Sequence, residues 1–174
     1  MTALRRLARL VADVRGAAAI EMALVMPILA VIMAGSAEVG RYFYQEHVLV
    51  KSVRDGTVFA ARAPIDKFNC TSFAIDSGVV SNTRSLIRTG GLSGQSDLLK
   101  AWAATSGVTF TITLTCPTAV GSTTLSGIYT ANGGKVPVIT VTAVLPYQTY
   151  LSSFGFRTQN WNLRASEQAA VQGI

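Results

Sequence analysis

The feature that most limits what this chain can become is an apolar run, Ala17–Ala37, broken only by Glu21. Four arginines (Arg5, Arg6, Arg9 and Arg15) and one acid, Asp13, precede it, and Met22 to Ala37 carries no charge. At about 1.5 Å rise per residue, a helix of this length covers roughly 30 Å, the hydrocarbon thickness of a bilayer. The run reads as a membrane span. A secretory signal peptide fits less well, because the apolar core is too long and Gly16 lies ahead of it, where no signal peptidase would cut. Arg41, Lys51 and Arg54 follow the span, so the basic bias across it is small. The shortness of the basic leader sets the expected orientation: residues 1–16 stay cytoplasmic and the rest crosses.

Glu21 admits two readings. A carboxylate just inside a span costs on the order of 2–3 kcal/mol on insertion scales, and less near the interface. It can reach back to the headgroups from the helix end. The other reading of Glu21 comes with the family resemblance described below.

The helix is expected to continue past the membrane. From Glu38 the pattern turns amphipathic, with Val39, Tyr42/Phe43, Val50, Val53, Thr57 and Ala60/Ala61 near helical spacing. Arg41, Gln45, Lys51, Arg54 and Asp55 fill the polar positions. Pro64 ends it, because proline lacks an N–H and biases the residue before it away from helix. The expected helix is Ala17–Ala63, with Pro27 as a kink or loosened turn and Gly35 and Gly40 as weak points. Residues 17–37 would be the span, 38–63 a stalk, and 64–174 an exported head.

Within the head, Ile65–Thr71 reads as a loop and Ser77–Arg88 as a helix ended by Gly90-Gly91. Ser96–Thr105 reads as a short amphipathic helix stopped by Gly107, with Ser96 and Asp97 as cap residues. The last part is β. Val108–Thr115 alternates apolar residues with threonine, a strong strand signal, and Val136–Leu145 does much the same. Asn132-Gly133-Gly134 marks a turn, Gly121–Gly134 a mobile loop, and Asn160–Val171 a third strand returning antiparallel. Helix first and antiparallel sheet last make the fold class α+β: a long membrane and stalk helix, then a small head with about three or more strands.

Composition excludes several functions. The net charge is +6, but residues 1–16 supply +3 of it (four Arg less Asp13), leaving +3 for the remainder. No basic patch with interleaved aromatics follows, so nucleic acid is not an expected partner. Cys70 and Cys116 both fall in the exported part, where an oxidising compartment lets them pair and close a loop of 46 residues. In a chain-entropy model such a bridge is worth on the order of 4 kcal/mol. Two distant cysteines and one histidine make a poor metal site, and no cofactor is expected. His47 sits on the stalk between polar neighbours and reads as a solvated helix residue rather than a catalytic base. Asp66, Asp76 and Asp97 read as loop and cap residues rather than paired acids. Tyr147, Tyr150, Phe154 and Phe156 read as core or sheet-edge packing. No enzyme activity is expected.

One further pattern ties the N-terminal half together. Glu21 is the fifth residue after Gly16, and Gly16 closes the short basic leader. This resembles the processing site of type IV prepilins, where a membrane peptidase cuts after the glycine. Gly16-Ala-Ala-Ala-Ile-Glu21-Met-Ala-Leu-Val-Met-Pro27, then Glu38-Val-Gly40-Arg41, Val53-Arg54-Asp55-Gly56 and Ala60-Ala61-Arg62 resemble TadE-like proteins. Those are the pseudopilins, or minor pilins, of the tight-adherence (Flp) pilus system. Met22 stands where Flp-type major pilins carry tyrosine, which argues against a major pilin, and Ala17 stands where other type IV pilins begin with an aromatic.

The resemblance implies cleavage between Gly16 and Ala17, with Glu21 pairing with a neighbouring subunit's new terminal ammonium. It implies a bacterial inner-membrane protein whose C-terminal domain is periplasmic or extracytoplasmic. The implied partners are the membrane, a prepilin peptidase, other pilins and the pilus assembly platform. The reading from the residues alone leaves a second expectation open: an uncleaved single-span protein whose exported domain binds a ligand or an envelope partner.

Overall fold

The computed structural model describes residues 15–93, 96–118, 125, 127–150 and 161–173. Two compact units follow one another along the chain, Met1–Arg41 and Tyr42–Ile174. Helix α1, Arg15–Ala61, runs for 47 residues and passes through Pro27 without ending. It stops two residues before the position expected from Pro64. The amides of Arg62 and Ala63 bond to carbonyls three residues back, Phe59 and Ala60, at 3.2 and 3.1 Å. The last turn has tightened to a 3-10 geometry, because the residue before a proline is sterically pushed out of the α region.

In the second unit, α1 buries Gln45, Leu49, Ser52, Val53, Gly56, Thr57, Ala60 and Ala61, a stripe built on helical spacings of three and four. The sequence reading placed this face around Tyr42/Phe43 and Val50, but Phe43 and Val50 are exposed and Gln45, assigned to the polar side, is buried. Ser52 and Thr57 fit on the buried stripe because their hydroxyls find partners on the helix itself. The Ser52 hydroxyl donates to the Leu49 carbonyl at 2.9 Å, and the Thr57 hydroxyl donates to the Val53 carbonyl at 2.7 Å.

The buried stripe faces a three-stranded antiparallel sheet in the order β3 (Thr109–Thr115), β4 (Val138–Pro146), β5 (Asn162–Ala170). The register sets Phe110 opposite Ala143 and Ala143 opposite Ala165 on the inner face. The same register sets Thr111 opposite Thr142 and Thr142 opposite Ser166 on the outer face. The period of two in the sequence is therefore the division between core and water. On the outer face Thr142 and Ser166 share a hydrogen bond of 2.9 Å, and the Gln168 amide donates to Thr140 at 3.3 Å. Inside, Leu49, Val53, Ile87, Val141, Leu145 and Leu163 form the centre of the larger core. A smaller one gathers Ala60, Ala61, Phe68, Leu114, Ile139 and Val171.

Helix α2, Ser77–Thr89, begins and ends as its sequence suggests. Asp76 caps it by accepting from the Gly78 amide at 2.9 Å, and Gly90, at φ 77°, turns the chain out while its amide bonds to the Leu86 carbonyl.

Three expectations for the head are corrected. Ile65–Thr71 is not a plain loop: a 3-10 turn, Ile65–Lys67, leads into β1 (Phe68–Asn69), which pairs antiparallel with β2 (Ala74–Ile75). The Asn69 carboxamide oxygen holds the intervening turn by accepting from the amides of Thr71 and Ser72. Within Ser96–Thr105 only Lys100–Ala103 is helical, as a single 3-10 turn whose preceding residue, Leu99, supplies no side-chain cap. Asp97 instead turns to the Arg88 guanidinium, 2.9 Å from Nη2, and Leu98 bonds back to the Arg88 carbonyl at 2.8 Å. Docking on the end of α2 has replaced helix initiation. In Gly121–Gly134, Gly127–Asn132 is a 3-10 helix, followed by the expected turn at Gly133 and Gly134. Residues 121–124 and 126, the leader over residues 1–14, and Phe154 and Phe156 lie outside the described residues.

Candidate functional site

The first unit is built around the apolar part of α1. From Ala18 to Gly40 no side chain is buried, and large aliphatic residues stand out on every side: Leu24 is 69% exposed, Val31 70% and Met33 75%. In water so continuous an apolar surface is untenable. Among the described residues this is the one helix long and apolar enough to cross a membrane. Its single interior hydroxyl is satisfied within the helix, since Ser36 donates to the Ile32 carbonyl at 2.8 Å. Such self-satisfaction is what a lipid environment requires of a polar group.

Gly16 and Glu21 lie on this helix. Gly16 is exposed, and a side chain added there would meet nothing within 4 Å, so its backbone is open to approach. Ala17 follows within α1. Glu21 is exposed one and a half turns beyond Gly16, the first charge on an apolar surface that stays uncharged to Ala37. A carboxylate in that setting is costly unless it reaches the interface or meets an opposite charge.

The described residues carry no group of three or more His, Cys, Asp or Glu that could hold a metal ion. His47 projects from the exposed side of α1. Asp66 is exposed in the 3-10 turn, and at the open end of the small hairpin Lys67 and Asp76 make an exposed pair at 3.6 Å. The Arg88 guanidinium, hydrogen-bonded to Asp97, holds that carboxyl below the usual carboxylate range.

Cys70 and Cys116 are brought together as a disulfide, with Cα atoms 5.7 Å apart. The bridge ties the end of the β1 segment to the end of β3, beside the smaller core. The Asn132 side-chain oxygen accepts from the Cys70 amide at 3.2 Å, so the 3-10 helix before β4 is fastened to the same corner.

An aromatic group was missed by periodicity. Tyr42 makes edge contacts with Tyr147 and Trp161, at ring separations of 5.3 and 6.0 Å. Tyr147 is buried, as core packing required, while Tyr150 is exposed. Burial first, and then the charge and hydrogen bond of Glu46, raise the Tyr42 phenol above its ordinary pKa. The signal was present as three consecutive aromatics, Tyr42-Phe43-Tyr44, a run that no one-sided helical stripe explains.

With this geometry in place the comparison with known families is specific. Residues 16–57 match the model of the family described as TadE-like protein. This is a TadE-like segment. It begins at Gly16, takes in Glu21 and the whole bare apolar surface, and ends one residue past Gly56 on the buried stripe. It falls within the Gly16–Arg62 stretch on which the resemblance rests. The match links this segment to a family of tight-adherence pilus systems. No curated protein and no solved structure gives a match to the chain.

Proposed function

We propose that this chain is a minor pilin, or pseudopilin, of a tight-adherence pilus. A prepilin peptidase cuts it between Gly16 and Ala17, and other pilins and the assembly platform draw it into a pilus used for surface attachment. The observation that carries the reading is one exposed carboxylate, Glu21, five residues after an exposed glycine on an otherwise bare apolar helix, inside the TadE-like match. Before assembly the helix lies in lipid with the leader on the cytoplasmic side. After it, neighbouring apolar helices replace lipid, and each Glu21 answers the ammonium that cleavage creates on a neighbour. The Cys70–Cys116 bridge supports the orientation, because such bridges persist in oxidising compartments.

The test is co-assembly. Glu21→Gln and Glu21→Ala should insert in the membrane and be processed as the native chain is, yet recover poorly with pilus components. A Glu21→Ala chain that co-purifies at native levels would return the carboxylate to an interfacial role. An uncleaved membrane protein with a binding head would then be the better reading.

A further inference from the structure

We infer that the aromatic group around Tyr42 seats the head on the lipid headgroup layer, so that its membrane-facing end is a phospholipid-binding surface. The inference rests on the reading of Ala17–Ala37 as a span and adds a second, separate lipid contact made by the head.

Three observations carry it. The first is arrangement. Successive residues of a helix point about 100° apart, so Tyr42, Phe43 and Tyr44 sweep roughly 200° of the circumference at one level. Phe43 and Tyr44 are 62% and 69% exposed. On the remaining side Tyr42 meets Tyr147 and Trp161, and Trp161 is itself 51% exposed. A protein partner docked along one face would be served by residues three and four apart. A ring of aromatics at one level is served by a medium that surrounds the helix.

The second is depth. Tyr42–Tyr44 lie five to seven residues beyond Ala37, the end of the apolar run. That is about 8–10 Å along the axis, against a polar layer roughly 5–8 Å deep on each side of the hydrocarbon. Helical side chains lean toward the helix N-terminus, back along the run toward Ala37. Glu38 and Arg41, the first charges after the span, lie between Ala37 and the rings.

The third is chemistry. Tyrosine and tryptophan pair an apolar body with a polar tip, which suits the boundary between headgroups and acyl chains. Trp161 is held for this from the far end of the chain: the Tyr147 amide donates to its carbonyl at 2.8 Å, and the Tyr42 hydroxyl reaches the Asn162 carbonyl at 3.5 Å. An aromatic ring assembled from both the helix and the sheet would couple the head, rather than the helix alone, to the membrane surface.

The chain has two tryptophans, and Trp102 is buried, which makes fluorescence decisive. The full chain is reconstituted in phosphatidylcholine vesicles whose acyl chains carry bromine near the glycerol end or near the terminal methyl. Flotation with the vesicles first establishes that the span is inserted. The expected result is loss of emission with the shallow label that exceeds the loss with the deep one. This loss should disappear in Trp161→Phe and persist in Trp102→Phe. Phe43→Ser/Tyr44→Ser should reduce it while flotation is unchanged. A floating chain whose Trp161 is quenched by neither label, or more by the deep one, overturns the inference and leaves the span intact. Loss of shallow quenching as vesicles are crowded with the chain would assign the ring to a second copy, and also overturn it. A chain that does not float removes the span and this inference together.

Discussion

Gly56 on α1 and Ile87 on α2 meet at a crossing with no room for another carbon. A Cβ on Gly56 would lie 2.3 Å from Ile87 Cγ1 and 2.6 Å from its Cδ1. Ile87 is fully buried, and a β-branched residue in a helix has one favoured rotamer, so it cannot swing aside. Gly56 lies inside the TadE-like match, and its place there has a packing reason in this head.

Gly56→Ala should therefore destabilise the head by about 1–3 kcal/mol, although alanine is the better helix former by roughly 1 kcal/mol. The check is a double-mutant cycle followed by urea or thermal unfolding. In an Ile87→Ala background the same change should cost little or become stabilising, because the clash has gone. Equal costs in both backgrounds would deny that the two residues meet.

The Cys70–Cys116 bridge closes 46 residues, and replacing both cysteines with serine should cost on the order of 4 kcal/mol. Non-reducing peptide mapping of protein taken from the envelope should recover the bridged peptides. Two free thiols in that material would contradict the bridge.

Asp97 should respond to acid in a definite sense. The Arg88 hydrogen bond, opposed in part by desolvation and joined by the Arg88 charge, lowers its folded pKa. A carboxyl lowered on folding adds stability above its unfolded pKa, which is about 3.9. That contribution is lost as pH falls through the lower, folded value. Both side chains are partly exposed, so the contribution is small and weakens with salt. NMR titration should place Asp97 below ordinary aspartates, and Arg88→Met should bring it back to them. An unshifted Asp97 in the native protein would mean that the pair does not persist in solution.

The parts of this fold governed by a repeating physical demand were readable in advance. The threonine alternation of Val108–Thr115 reports a strand with one wet face, and the observed strand is Thr109–Thr115. The bare surface from Ala18 to Ala37 follows from a run with no charge but Glu21. What periodicity could not supply was the choice among neighbours. Gln45 and Ser52 look polar in sequence yet are buried, because tertiary packing selects the face and the helix backbone satisfies the Ser52 hydroxyl. Asp97 looked like a cap and became half of an ion pair, since Arg88 lies close only after folding. The two-residue strands β1 and β2 hold together through Asn69 and a neighbouring disulfide rather than through any pattern of their own. In the candidate site, the spacing that singles out Gly16, Ala17 and Glu21 is local and needs no fold to be seen. Trp161 was not legible, because 119 residues separate it from Tyr42 in sequence.

The central claim is that the bond between Gly16 and Ala17 is cut in the cell, and the mature N-terminus tests it most directly. The protein is recovered from a pilus-competent host, and its terminal peptide is identified by mass spectrometry or sequencing. The account predicts a chain beginning at Ala17, and a Gly16→Val chain that stays membrane-bound with its leader attached, because a side chain there obstructs close approach to the backbone. The head of that variant should unfold as the native head does, since a side chain added at Gly16 meets nothing within 4 Å. Native protein that keeps residues 1–16 in such a host would contradict the account.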